Sequence, residues 1–208
     1  PVIDAITLGD GTTPVNGAVV RDEQKFIAHI TEDGLPYKKP SYTLVEIWSE
    51  DGTQWLWGPD KTPVLTGTTK QGKTPALAVD TNKLPDGTYT LRVRGEDYAK
   101  NAFSGNVRFT IDNKDPDGTF TYSNNSAPTS GNVIAYLTTT EPVTISPTGS
   151  HGWEATDDTN TKFKHKFTNN GSFDAVVVDA AGNSTTLTAR VNWIDKVNPT
   201  GEITYSTT

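Results

Sequence analysis

The chain has 208 residues, no cysteine, no methionine and a net charge of −7. Without cysteine it can hold neither a disulfide framework nor a thiolate metal site. With net charges of −3 over residues 1–113 and −4 over residues 114–208, neither half carries the basic excess that nucleic-acid binding demands, and no apolar run is long enough to insert in a membrane.

A period of two runs along the chain, where a helix would need a period of 3.6. FIAHI from Phe26 reads as a strand and TEDGLP after it as a turn. YTLVEIW, QWLW, TYTLRVR from Thr88 and NVRFTID from Asn106 read as further strands. In the second half, NVIAYLT from Asn132 places Val133, Ala135 and Leu137 on one face. VTISP follows. KFKHKF from Lys162 places Phe163, His165 and Phe167 on one face and three lysines on the other. SFDAVVVD and TLTARVNWID complete the set, with Leu187, Ala189, Val191 and Trp193 sharing a face.

One phrase occurs twice. IDNKDPDGTFTYS from Ile111 matches IDKVNPTGEITYS from Ile194 without a gap, pairing Asp112 with Asp195, Pro116 with Pro199, Gly118 with Gly201 and Tyr122 with Tyr205. Upstream, PDGTYTLRVRGEDYAKN from Pro85 matches NNGSFDAVVVDAAGN from Asn169, and each ends in Asp-x-Ala-x-Asn. Such repetition sets the architecture. Seven short strands per unit, with turns every 8–12 residues, predict two tandem immunoglobulin-like β-sandwiches in an all-β chain. The expected division is a first sandwich over residues 1–111, a linker over 112–117, a second sandwich over 118–195, and a linker with the first strand of a truncated third repeat over 196–208. The chain reads as an excerpt from an array.

The phrases LPDGTYTLRVRGEDYAKN…FTIDNKDP and NNGSFDAVVVDAAGNS…VNWIDKVNPTGEITYS resemble bacterial immunoglobulin-like (Big-type) tandem repeats of large cell-surface and secreted proteins. In those arrays a D-x-A-G-N turn and an Asp…Pro junction recur from domain to domain. The first unit departs from that turn by having Lys100 where the second has Gly182. The resemblance implies display outside the cell, in the stalk of an adhesin, a surface-layer protein or a secreted enzyme. It implies neighbouring repeats as partners, no catalytic residues and no cofactor.

The residues offer few sites for chemistry. Asn113-Lys-Asp115-Pro-Asp117-Gly118 opens like a calcium loop, but position 12 is Asn124, where an EF-hand needs a bidentate Glu. Asp112, Asp115 and Asp117 remain candidates for a looser calcium site; the plainer reading is an acidic turn. His29, His151 and His165 lack metal-ligand spacing. Lys25 and Asn106 are candidates for a covalent Lys–Asn cross-link, against the plainer reading of unrelated surface residues.

EIWSEDGTQWLW carries the sharper signal. A two-residue Asp51-Gly52 hairpin would oppose Trp48 to Trp55, Ile47 to Leu56 and Glu46 to Trp57. Val45, Ile47 and Leu56 then share one face and Trp48, Trp55, Trp57 and Glu46 the other. Either the tryptophans are the core, or, as the regular alternation of the neighbouring strands favours, the aliphatics are, and the tryptophan face is an outer platform suited to a glycan or a protein. The expected function is a non-catalytic spacer of a bacterial cell-surface protein, extracellular or secreted. The alternative is a binding module acting through those four residues.

Overall fold

Alternating strands bury every second side chain, and two such faces packed together make each core here. The computed structural model describes residues 1–31, 40–57, 71–73 and 77–205. The turn expected at TEDGLP falls outside them after Thr31. The chain divides into two units, Pro1–Lys114 and Asp115–Thr208. Each is an immunoglobulin-like sandwich, and among the described residues there is no α-helix.

The first unit holds β1 (Val2–Leu8), β2 (Ala18–Val20), β3 (Glu23–Thr31), β4 (Pro40–Ser49), β5 (Trp55–Trp57), β6 (Gln71–Lys73), β7 (Leu77–Asp80), β8 (Gly87–Asp97) and β9 (Ala102–Ile111). One sheet runs β1-β3-β6, with β7 also on β3; the other runs β2-β9-β8-β4-β5. Between them lie Phe26, Ile30, Val45, Ile47, Leu91, Val93, Phe109 and Ile111, all nearly or fully buried. The β8 pattern shows the rule: Tyr89, Leu91 and Val93 turn inward, while Thr90, Arg92 and Arg94 turn outward. Tyr89 donates its hydroxyl to the Pro85 carbonyl at 2.5 Å. This is the tyrosine-corner arrangement of immunoglobulin-like sandwiches.

The second unit holds β10 (Gly118–Tyr122), β11 (Val133–Thr139), β12 (Thr144–Ser146), β13 (Glu154–Ala155), β14 (Lys162–Phe167), β15 (Gly171–Val178) and β16 (Ser184–Val191). Its sheets run β10-β11-β14-β13 and β12-β15-β16. Val133, Ala135, Leu137, Trp153, Phe163, Ala175, Val177, Ala189 and Val191 fill the core. The position of Tyr89 is taken by Phe173, which has no hydroxyl to donate. Instead His165 stacks on Phe173, with ring centroids 3.8 Å apart and planes parallel to within 1°.

The Lys25–Asn106 cross-link lacks its setting. Both side chains are exposed, Lys25 on β3 of one sheet and Asn106 on β9 of the other. Neither offers the desolvated pocket beside a buried acid that such a bond requires.

Candidate functional site

The tryptophan hairpin forms with a different register from the one the sequence predicts. Trp48 does oppose Trp55, but a bulge follows, and Ile47 opposes Trp57 instead of Leu56. The turn is also wider. Gly52, at φ 71, donates its N–H to the Ser49 carbonyl, and the Ser49 N–H meets the Gln54 carbonyl. Glu50 and Asp51 are therefore the central turn residues, in place of Asp51 and Gly52. The Asp51 carboxylate explains the change: it accepts from the Ser49 hydroxyl and from the Thr53 N–H and hydroxyl. These bonds, led by that of Ser49, hold Asp51 below the usual carboxylate range. The bulge also corrects the expected core face. Val45 and Ile47 are buried, whereas Leu56 is 40 % exposed. For Trp55 and Trp57 the described part is the backbone position.

Glu46 and Trp48 lie on the outward face of β4, yet Glu46 is only 4 % exposed. Arg94, opposite Leu44 on β8, reaches the Glu46 carboxylate through Nη2 at 2.7 Å and through Nε at 3.2 Å. The Trp48 indole N–H donates to Oε2 at 3.0 Å. The Arg92 guanidinium lies 5.7 Å from the Trp48 ring centroid. Burial works to raise the Glu46 pKa, and the Arg94 and Trp48 bonds together with the charges of Arg94 and Arg92 outweigh it, so the pKa is lowered. Glu46 thus holds this face together and is not a free acceptor for a sugar hydroxyl. The arginines are the part that the hairpin sequence alone did not reveal; the alternation RVR, which lies opposite LVE of β4, is the signal that would have found them.

The acidic candidates fall on both sides of the division between units. In the first unit, the Asp112 carboxylate accepts the Lys114 N–H at 3.1 Å. In the second, Asp117 accepts its neighbour Gly118 N–H at 2.7 Å, and Asp115 is exposed. These are turn-capping bonds. The second unit brings together a pair that the spacing did not suggest: carboxylate oxygens of Glu141 and Asp179 lie within 4.8 Å of each other.

Each histidine bonds a group close to it in the fold, and no two of them meet. His29 Nε2 bonds Thr7 Oγ1 at 2.9 Å, and His151 Nδ1 bonds Ser150 Oγ at 3.1 Å. His165 Nδ1 lies 2.9 Å from the Gly152 carbonyl, so this nitrogen carries the proton.

The Asp-x-Ala-x-Asn element is built twice with the same bonds. Asp97 Oδ1 and Oδ2 accept the Asn101 backbone N–H and side-chain amide, each at 2.8 Å. Asp179 accepts the same two groups of Asn183 at 2.9 and 2.8 Å. Both aspartates are buried. Each unit then ends on a parallel patch. In the first, β2 pairs β9 in parallel, and the Asp112 N–H donates to the Val20 carbonyl at 2.9 Å. In the second, Thr129 bridges Ile194 in parallel, and the Asp195 N–H donates to the Thr129 carbonyl at 2.8 Å.

No family model matches the chain, and no curated protein matches it. Among solved structures it is similar to murine CEACAM1b at 9% identity, over 90% of this chain and 98% of that one, with a TM-score of 0.38. It is similar to a tetra-tandem repeat in the extending region of a large adhesion protein at 18% identity and a TM-score of 0.34. That match covers 94% of this chain and 49% of the other, so the chain spans about half the length of that relative. CopC from Methylosinus trichosporium OB3b matches at 15% identity over 51% of this chain and 93% of that one, with a TM-score of 0.29. Values this low carry no functional argument.

Proposed function

We propose that this chain is a non-catalytic, load-bearing spacer segment of a bacterial surface or secreted protein, built from Big-type repeats. The observation that carries this reading is the parallel patch at the end of each unit. In a parallel pair, tension on the chain pulls the earlier strand toward its start and the later strand toward its end, in opposite directions along one axis. The hydrogen bonds between them are loaded together, in shear, and must break together. The first unit places Ala18, Val19 and Val20 against Phe109, Thr110 and Ile111 in this way. The second has a smaller version, one parallel bridge between Thr129 and Ile194 held by the Thr129 N–H on the Trp193 carbonyl and the Asp195 N–H on the Thr129 carbonyl. Two sandwiches with the same closing hairpin, one clamped by three parallel pairs and the other by a single parallel bridge, suit a chain that holds a functional module away from a surface.

Single-molecule stretching of the full chain by its ends tests this. The expected record has two unfolding steps. Asp112→Pro removes the N–H that donates to Val20 and lowers the unfolding force of one step only. Asp195→Pro does the same to the other. A single merged step, or forces insensitive to both substitutions, overturns the reading.

A further inference from the structure

The second unit is acidic, yet three of the five basic residues among residues 115–208 stand in a row on one strand face. Lys162, Lys164 and Lys166 alternate on β14 with the buried Phe163 and Phe167. Side chains two apart on a strand lie about 7 Å from one another, so the three ammonium groups form a ladder along roughly 14 Å. Strand register fixes what lies beside them. Thr138, Tyr136 and Ile134 on β11 oppose Lys162, Lys164 and Lys166. Thr119 and Thr121 on β10 oppose Thr138 and Tyr136 in turn. Tyr136 is 39 % exposed at the centre of this face.

Within this field Lys164 pairs with Glu154 on β13 at 3.2 Å, both partners being about half exposed. Lys162 and Lys166 have no ion pair among the described residues. Beyond Lys164, β13 no longer runs beside β14. There a depression of about 160 Å³ opens, walled by Ser150, Gly152, Glu154, Lys164 and Lys166 among others. That is well below the roughly 300–1,000 Å³ that encloses a whole small ligand. It is room for one anionic substituent of a chain lying along the sheet.

We infer that this outer face of β10, β11 and β14 binds an acidic polysaccharide. The Tyr136 ring offers a flat apolar surface to the C–H face of a sugar, and the hydroxyls of Thr119, Thr121 and Thr138 offer hydrogen bonds to its hydroxyls. The lysine row meets carboxylate or sulfate groups spaced along the polymer. Charge complementarity singles out an anionic polymer. One exposed aromatic among hydroxyls suits a sugar chain better than a strand of stacked bases, which uses several aromatics.

The test is titration of the full chain, at low ionic strength, with an oligogalacturonate, a heparin oligosaccharide, a neutral dextran oligosaccharide of the same length, and single-stranded DNA. Binding of either acidic sugar and not of dextran is expected; which of the two binds distinguishes carboxylate from sulfate. Lys162→Gln, Lys164→Gln and Lys166→Gln combined weaken it about tenfold, as three exposed ion pairs together would. Tyr136→Ala weakens it without changing its salt dependence. Glu154→Gln, which releases Lys164, strengthens it more than Asp174→Asn, an equal charge change on the other sheet. Failure of both acidic sugars to bind, indifference to the triple lysine substitution, or DNA binding as tight as the sugar overturns the assignment.

Discussion

Lys100 and Gly182 occupy the same left-handed backbone position, at φ 70 and φ 88, in turns closed by the same bonds. In each turn this residue donates its N–H to the carbonyl of the buried Asp, Lys100 to Asp97 and Gly182 to Asp179. With the Asp N–H donating back to the Asn carbonyl, Asp97 to Asn101 and Asp179 to Asn183, four bonds close each turn and hold a lysine where its Cβ crowds the following carbonyl. That conformation costs about 1–2 kcal/mol for a residue with a Cβ. Lys100→Gly relieves it, but loosens the unfolded chain and deletes the exposed Lys100–Glu96 pair. The expected net gain is about 0.5 kcal/mol, with Gly182→Lys costing about 1 kcal/mol in the second unit. Thermal unfolding in high salt, which screens the ion pair, measures both. A loss on Lys100→Gly would contradict the shared-strain account.

Ile47 and Trp48 are neighbours on opposite faces of β4, and their replacement should differ accordingly. Ile47 is 0 % exposed, so Ile47→Ala is expected to cost about 2–5 kcal/mol. Trp48 is half-buried and loses one hydrogen bond to Glu46 and the Arg92 contact; Trp48→Ala should cost about 1–2 kcal/mol. Chemical denaturation with hydrogen exchange of the β8 and β9 amides reads both. Equal costs would mean that the tryptophan ring is core.

Alternation made the inward faces readable. Val133, Ala135 and Leu137, or Leu91 and Val93, announce themselves by spacing, because one face of each strand must leave water. The hairpin was legible as a hairpin and not as a register. Asp51 draws Ser49 and Thr53 onto its carboxylate and widens the turn, and a bulge of one residue then moves Leu56 out of the core. Outward faces were less legible, since their partners come from strands distant in sequence. Arg94 on Glu46 spans 48 positions, and the Lys164–Tyr136 pairing depends on which strand lies beside β14.

Asp157 opens the turn before β14 and gathers Thr159, Thr161 and the Lys162 N–H around its carboxylate. Burial acts to raise its pKa, and the threonine bonds outweigh it and lower the value from 3.8 to about 2. A lowered pKa means that the ionised form is favoured in the folded state. Its contribution to stability is present in full above pH ~4 and is lost as the pH falls through about 2. The stability difference between the native chain and Asp157→Asn should therefore be constant from neutral pH down to ~4 and shrink below it. Carboxylate NMR titration gives the midpoint directly; a midpoint near the ordinary value would remove the turn's pH dependence.

Gly118 recurs at Gly201 in the repeated phrase, and its role is space, not a left-handed φ. A Cβ at Gly118 would stand 2.9 Å from Leu137 Cδ1, 2.9 Å from the Thr138 carbonyl oxygen and 3.1 Å from Leu187 Cδ1. The leucines can shift; the carbonyl belongs to the β10–β11 ladder and cannot move without breaking it. Gly118→Ala is expected to destabilise the second unit by about 1–3 kcal/mol, the usual penalty of overpacking. Gly201 meets nothing within 4 Å, so Gly201→Ala in the same chain should be neutral. The pair forms an internal control for thermal unfolding followed by the fluorescence of the buried Trp153. A cost at Gly201 equal to that at Gly118 would show that the glycine is needed by the phrase itself, independent of what packs on it.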